Sequence, residues 1–276
     1  MEKVRRIAIR SKSVVIVSIC LICIFTATFI FCAYKYCAAR RYYDDSADAY
    51  AKISNEYVTA KETETTDSSS DIGYDDTEDT VYDEESPIDV NFEELTAQCN
   101  RGEVVAWLYS EGTVIDYPVV RCEDNSFYLE HLLDGTYNPC GTLFVDCRNA
   151  GDFTDTNTIV YGHHMADGQM FNTLKYYRKD PDYYLEHPVM YLNTPDGNYK
   201  VLIYSTFISD TQSTAFKTSF ENSDEINEFI SYTCAQSLID TDVTVSSEDR
   251  FITLITCSYE FNNARTVVCG VLRPID

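Results

Sequence analysis

The chain has 276 residues, 45% of them hydrophobic, and a formal net charge of −24 at pH 7. Because a chain of this length and apolar content can bury at least one core, disorder throughout is excluded. Nucleic-acid binding through neutralised phosphates is excluded as well, since that mode requires clustered Lys and Arg. The sequence therefore directs attention to individual motifs rather than to a charged surface.

An uncharged apolar segment lies near the start of the chain. Residues 14–34 are long enough to cross about 30 Å of hydrocarbon as a helix. A secretory signal peptide is the alternative, but its apolar core is usually about 7–15 residues long. Basic residues are more numerous before the segment than after it, which favours a cytoplasmic N-terminus at residues 1–13 and an exported remainder. We expect a single-pass signal anchor in the cell membrane.

Residues 35–89 are predicted to connect the anchor to a globular domain. Residues 46–64 carry Ala, Lys and Glu at helix-compatible spacing, which indicates a juxtamembrane helix. Residues 65–87 are instead a Ser/Thr/Asp/Glu tract with little apolar content. Since low hydrophobicity and high charge cannot supply a core, we expect this tract to be an acidic disordered linker.

Short β-rich runs separated by turn residues mark residues 90–276 as the globular domain, outside the cell. Asn91 can cap a short helix, and residues 223–238 form an amphipathic helical pattern that opens with a Ser cap. Eight strands with one helix between the sixth and the seventh predict a mainly β barrel or sandwich. The predicted strands are 104–109, 114–120, 142–145, 158–161, 189–192, 199–207, 251–256 and 266–272.

The chain has four histidines, which limits any Cys/His mechanism to few choices. His163 and His164 follow a predicted strand that ends in Tyr161-Gly162. A side chain at a strand end can be fixed by the sheet and still reach solvent, so His163 is a candidate acid/base. A lone histidine is more often an ordinary surface or core residue, and this assignment therefore requires a partner.

The candidate partner is a cysteine at the end of the seventh predicted strand. Cys257 ends the run Thr-Leu-Ile-Thr-Cys, and Arg265 opens the next strand, so a hairpin can bring thiol and guanidinium together. A thiolate is a strong nucleophile, and a permanently charged arginine can hydrogen-bond a developing oxyanion. Taken alone, a buried cysteine is more often an inert small hydrophobic residue.

Together these motifs resemble the signature of the sortase family of cysteine transpeptidases, in which TLxTC is followed by an arginine and preceded by a histidine. The resemblance spans most of residues 91–276 and implies an eight-stranded β-barrel with an N-terminal helix and a helix between strands 6 and 7. Segments that resemble class B sortases are 105–108 (VAWL), 115–120 (IDYPVV), 124–131 (DNSFYLEH), 141–146 (GTLFVD), 163–171 (HHMADGQMF) and 258–261 (SYEF).

The resemblance also implies roles for individual residues. Cys257 is the expected nucleophile, His163 the acid/base and Arg265 the electrostatic stabiliser, with Thr256 and Tyr259 as expected substrate contacts. The implied reaction cleaves the sorting signal of a surface protein at a Thr-Gly-like or Thr-Asn-like bond through a thioacyl enzyme. The acyl group then passes to an amine of a lipid II-type peptidoglycan precursor on a Gram-positive cell. Neither a metal nor a cofactor is expected.

Three alternatives remain open from the sequence. A pilin-polymerising sortase usually has a C-terminal membrane segment and an N-terminal lid, neither of which is seen here, so wall anchoring is favoured. A cysteine hydrolase would differ only in using water to resolve the intermediate, and a non-catalytic, membrane-tethered binding domain needs no chemistry at all.

Cys269 shares a predicted strand face with Arg265, which raises the further hypothesis of a disulfide between Cys269 and Cys257.

Overall fold

The computed structural model describes residues 2–61 and 85–275. It contains two compact units, Met1–Asp45 and Ser46–Asp276, and helix α1 (Glu2–Tyr57) begins in the first and ends in the second. Within the described residues, α1 contains a segment long and apolar enough to cross a membrane. The large apolar side chains of this segment are exposed, that of Phe29 by 74%. The predicted anchor at residues 14–34 lies in this helix.

The second unit includes the C-terminal turns of α1. The Tyr50 hydroxyl donates a hydrogen bond of 2.7 Å to the Gly141 carbonyl oxygen, and Ser54 donates one of 2.7 Å to an Asp116 carboxylate oxygen. Tyr57 is buried in a core cluster. The globular unit thus begins at residue 46 and not at residue 90 as predicted, because one face of this helix is buried against the β structure.

A small two-stranded sheet follows α1. Strand β1 (Val58–Ala60) pairs antiparallel with β2 (Ile88–Val90). The Lys61 N–H donates a hydrogen bond of 2.8 Å to the Pro87 carbonyl oxygen. The predicted acidic linker, residues 65–87, lies outside the described residues except for its last three. The pairing of β1 with β2 thus joins the two described segments of the chain, 2–61 and 85–275.

Eight further strands form a closed barrel in the order β10-β8-β7-β3-β4-β5-β6-β9. The mainly β barrel predicted from sequence is confirmed. Its strands are β3 (Glu103–Tyr109), β4 (Asp116–Arg121), β5 (Leu143–Val145), β6 (Asn157–Tyr161), β7 (Val189–Thr194), β8 (Gly197–Ser209), β9 (Phe251–Cys257) and β10 (Arg265–Ile275). Two neighbour pairs are parallel, β4 with β5 and β6 with β9, and the others are antiparallel.

Helices cover the barrel at several points. They are α2 (Phe92–Thr96), α3 (Tyr176–Lys179), α4 (Tyr183–Glu186) and α5 (Ser223–Gln236). Helix α5 lies between the sixth and seventh barrel strands as predicted, although Asn222 caps it by accepting from the Glu225 N–H, not the predicted Ser223. Its Phe229 is fully buried against Phe251, which fixes α5 on the barrel.

Candidate active site

The register of two parallel strands brings His163 beside Cys257. In the β6–β9 pair Tyr161 lies opposite Ile255, and the Gly162 N–H donates a hydrogen bond of 3.1 Å to the Ile255 carbonyl oxygen. His163 lies two residues after Tyr161, and Cys257 lies two residues after Ile255. Side chains alternate along a strand and neighbouring strands lie about 4.8 Å apart, so both side chains leave the sheet on the same face and at the same level.

The other neighbour of β9 brings in the arginine. Arg265 lies directly opposite Cys257 in the antiparallel β9–β10 pair. The Ser258 N–H closes the hairpin by donating a hydrogen bond of 2.9 Å to the Ala264 carbonyl oxygen. Residues directly opposite in such a pair project from the same face. Cys257 therefore lies between the predicted acid/base His163 on one side and Arg265 on the other.

These three residues open into one cleft of ≈ 360 Å³. Its walls combine apolar and polar side chains, and Cys257 is half-buried among them, within reach of a bound ligand. The remaining lining residues are Asn125, Leu129, Phe144, Tyr161, Gly162, Thr211, Phe216, Ile255 and Thr256. An extended peptide could be held along such a cleft with one of its carbonyl groups beside the thiol.

A main-chain carbonyl orients the imidazole of His163. Its Nε2 lies 2.7 Å from the Leu129 carbonyl oxygen. Because a carbonyl oxygen only accepts, Nε2 carries the hydrogen, and in the neutral ring Nδ1 is then the nitrogen free to take a proton. Leu129 thus performs the orienting role that a carboxylate performs in many catalytic triads.

One wall of the cleft is held by a buried carboxylate. Asp146 is 1% exposed and accepts hydrogen bonds from the Arg148 guanidinium at 2.8 and 2.9 Å and from the Tyr161 hydroxyl at 2.8 Å. Burial raises the pKa of the Asp146 carboxyl, but the hydrogen bonds from Arg148 and Tyr161 outweigh it and lower that pKa to about 2. Burial and the Asp146 charge raise the pKa of Tyr161, which keeps its hydroxyl a donor. The Tyr161 ring packs against Phe144, with ring centroids 5.3 Å apart.

Comparison with known proteins identifies the family of this chain. The Sortase domain family model matches residues 111–273. The chain belongs to the sortase family. Sortase B of Listeria monocytogenes is 36% identical over 172 residues, 62% of this chain and 70% of that protein. Sortase B of Staphylococcus aureus is 33% identical over 168 residues, 60% of this chain and 68% of that protein.

Solved structures show the same barrel. A Staphylococcus aureus sortase B-substrate complex matches with a TM-score of 0.63 and 30% identity, over 67% of this chain and 85% of that chain. A Bacillus anthracis protein described as similar to sortase B matches with a TM-score of 0.68 and 28% identity, over 85% and 98%. The predicted family and its resemblance to class B are confirmed, and the chain is a sortase-type cysteine transpeptidase.

The two predicted substrate contacts of the sortase occupy different positions. Thr256 lines the cleft, but it is 2% exposed and its hydroxyl has no hydrogen-bond partner among the described residues. Since Thr256 alternates with Cys257 along β9, its side chain projects from the face opposite to the Cys257 thiol. Tyr259 is 78% exposed in the loop after β9 and does not line the cleft.

The hypothesis of a disulfide between Cys257 and Cys269 is wrong. Cys269 pairs with Thr253, four residues along β10 from Arg265, which separates it from Cys257 by about 13 Å at the usual rise of a strand. A disulfide requires Cα atoms within about 7 Å. Cys269 is instead fully buried beside Tyr204, and burial raises the pKa of its thiol to about 12.

Several cleft residues were not predicted from the sequence. Asn125 and Leu129 lie in the segment 124–131 that resembles class B sortases, so the signal for them was present. Thr211 and Phe216 come from the connection between β8 and α5, where composition and spacing give no indication of a site.

Proposed function

We propose that this sortase cleaves the sorting signal of a surface protein at a Thr-Gly-like or Thr-Asn-like bond and joins the new carboxyl terminus to a peptidoglycan amine. The observation that carries the proposal is the register of three adjacent strand ends, which places Cys257 between His163 and Arg265 at one cleft. Nucleophile, acid/base and oxyanion partner are the groups that acyl transfer requires.

In the first half-reaction the Cys257 thiolate attacks the threonine carbonyl carbon of the sorting signal. A C–S bond forms, and the carbonyl oxygen becomes an oxyanion that the Arg265 guanidinium stabilises. The C–N bond then breaks while His163 gives its proton to the departing amine. The products are a thioacyl enzyme and the released C-terminal part of the signal.

In the second half-reaction an amine of the peptidoglycan precursor attacks the thioester carbon. His163, now neutral, takes the proton from this amine as the new C–N bond forms. The C–S bond breaks and Cys257 returns to the thiolate. Because the proton taken in this step replaces the one given in the first, the cycle closes without a metal or a cofactor.

The proposed location follows from helix α1. Its apolar segment is proposed to anchor the protein in the membrane of a Gram-positive cell, with residues 1–13 in the cytoplasm and the barrel outside. The catalytic unit would then lie near the membrane, where both a membrane-bound precursor and a newly exported surface protein are accessible.

The test uses the full chain in detergent with quenched sorting-signal peptides, with and without an amine acceptor, and mass spectrometry of the products. Wild-type protein should yield an amine-ligated peptide, Cys257→Ala should yield none, and the control Cys234→Ala, which removes an exposed thiol on α5, should act as wild type. Cleavage without ligation in the presence of acceptor would indicate a hydrolase. Turnover that survives Cys257→Ala would contradict the assigned nucleophile.

A further inference from the structure

The loop between β9 and β10 joins two of the proposed catalytic residues. It runs from Ser258 to Ala264, so Cys257 directly precedes it and Arg265 directly follows it. Residues 259–263, the middle of the loop, are exposed. An exposed loop moves readily unless other elements hold it, and its movement would displace the guanidinium relative to the thiol.

One carboxylate ties this loop to a neighbouring helix. Glu260 Oε1 accepts a hydrogen bond from Arg178 of α3, with which it forms an ion pair, and Glu260 Oε2 accepts one from the Ser258 hydroxyl. Burial raises the pKa of the Glu260 carboxyl, but the hydrogen bond from Ser258 and the charge of Arg178 outweigh it and keep that pKa below its ordinary value. Because each carboxylate oxygen serves a different donor, Glu260 links α3 to the first residue of the loop.

The Arg178 side chain gives this link a fixed support. It is 13% exposed, and its Nε is buried without a hydrogen-bond partner among the described residues, so the ion pair with Glu260 is what compensates its charge. The adjacent Tyr177 is fully buried and donates a hydrogen bond of 2.7 Å to the His187 carbonyl oxygen, which holds α3 in place. Removing one partner of such a pair leaves the other charge uncompensated, so the contact resists opening.

The start of the loop also orients the Arg265 guanidinium. Arg265 Nη1 donates a hydrogen bond of 3.0 Å to the Ala264 carbonyl oxygen, and the same oxygen accepts one of 2.9 Å from the Ser258 N–H. The Thr266 hydroxyl donates a further hydrogen bond of 3.4 Å to the Ser258 hydroxyl. Ser258 therefore connects Glu260 to the carbonyl group that holds the guanidinium. Since an arginine has five N–H donors, others remain for an oxyanion.

We propose that Glu260 is a positioning residue that, held by Arg178, fixes the β9–β10 loop and thereby, through Ser258 and Ala264, the guanidinium of Arg265 at the cleft. The inference rests on the proposed function for its catalytic consequence, but the position of the guanidinium can be measured without any substrate. A residue that only supported the fold would act on the whole unit, whereas Glu260 acts through Arg265.

The first test substitutes Glu260→Gln, which keeps the volume of the side chain but offers one acceptor oxygen where two are needed. In the full chain we expect kcat to fall roughly tenfold with KM nearly unchanged, because a displaced guanidinium stabilises the oxyanion less and leaves peptide binding intact. The control Glu248→Gln removes the same charge from an exposed side chain in the loop before β9 and should act as wild type.

A second background separates positioning from general support of the fold. If Glu260 acts through Arg265, Glu260→Gln should change the rate of thioacyl formation by less than about twofold in an Arg265→Ala protein, because the group that it positions is already absent. A loss as large as in the wild-type background would overturn the inference, and so would the absence of any loss in the wild-type background.

Modification of arginine by phenylglyoxal, followed by site-resolved mass spectrometry, gives a readout that needs no peptide. Arg101, whose side chain is 40% exposed, is the internal reference. The Arg265 to Arg101 rate ratio should rise several-fold in Glu260→Gln and also in Ser258→Ala, which leaves the ion pair intact and breaks only its link to the loop. Unchanged ratios in both variants would overturn the inference. Failure of wild type to process any peptide would count against the proposed function alone, because the modification ratio still decides whether Glu260 positions the guanidinium.

Discussion

Replacing Tyr50 by Phe tests whether α1 is an integral part of the catalytic unit. The Tyr50 side chain is 3% exposed, and its hydroxyl lies 2.7 Å from the Gly141 carbonyl oxygen and 2.8 Å from Thr142 Oγ1. The substitution keeps the ring and removes the donor to a buried carbonyl, which costs about 2 kcal/mol of the free energy of unfolding. For a unit of this size that corresponds to a fall in Tm of roughly 4–8 °C.

The assay is thermal unfolding of the full chain followed by near-UV circular dichroism. Tyr36→Phe is the matched control, because Tyr36 is 70% exposed, and it should leave Tm unchanged. A Tyr50→Phe variant that unfolds within 1 °C of wild type, on the order of a quarter of the expected shift, would refute the packing of residues 46–57 on the barrel. The same packing predicts that a chain beginning at residue 90 is less stable than one beginning at residue 46.

Three further predictions concern the site and its support. In Gly162→Ala the new Cβ would lie 2.4 Å from a Leu143 methyl carbon and 2.6 Å from the Phe171 ring; the displaced strand end should lower kcat about tenfold or more in the peptide assay. The depressed pKa of Asp146 adds on the order of 2 kcal/mol of stability that is present above about pH 4 and is lost as the pH falls towards 2. Asp146→Asn should therefore be destabilised in urea at pH 7 and match wild type near pH 2. Mild oxidation should produce no Cys257–Cys269 cross-link in peptide maps, and such a cross-link would contradict the strand register.

The barrel could be predicted from the sequence because its strands carry local signals. Runs such as Phe251–Cys257 are rich in β-branched and aromatic residues and are bounded by turn residues, which favours strands whatever their neighbours are. The order of the strands has no comparable local signal. The parallel β6–β9 pair joins segments about ninety residues apart, and its register brings His163 to Cys257. Here the resemblance to sortases supplied what local pattern could not.

The boundary of the globular unit was missed for a different reason. The composition of the acidic tract predicts a linker, and the helix before it is then predicted to be membrane-proximal. Tyr50, Ile53 and Tyr57 nevertheless lie at i, i+3 and i+7, which is the spacing of a buried helical face. These residues are buried or partly buried in the second unit. Periodicity before the tract was therefore a better guide than the composition of the tract itself.

The central claim is that Cys257, set between His163 and Arg265, forms the thioacyl intermediate. The most direct measurement is the intact mass of the full chain after brief reaction with a sorting-signal peptide and no acceptor, with the adduct located by peptide mapping. The account predicts a hydroxylamine-sensitive adduct on Cys257 in wild type, and markedly less of it in Arg265→Ala. An adduct on another cysteine, or peptide cleavage that proceeds without any adduct in the wild-type chain, would contradict it.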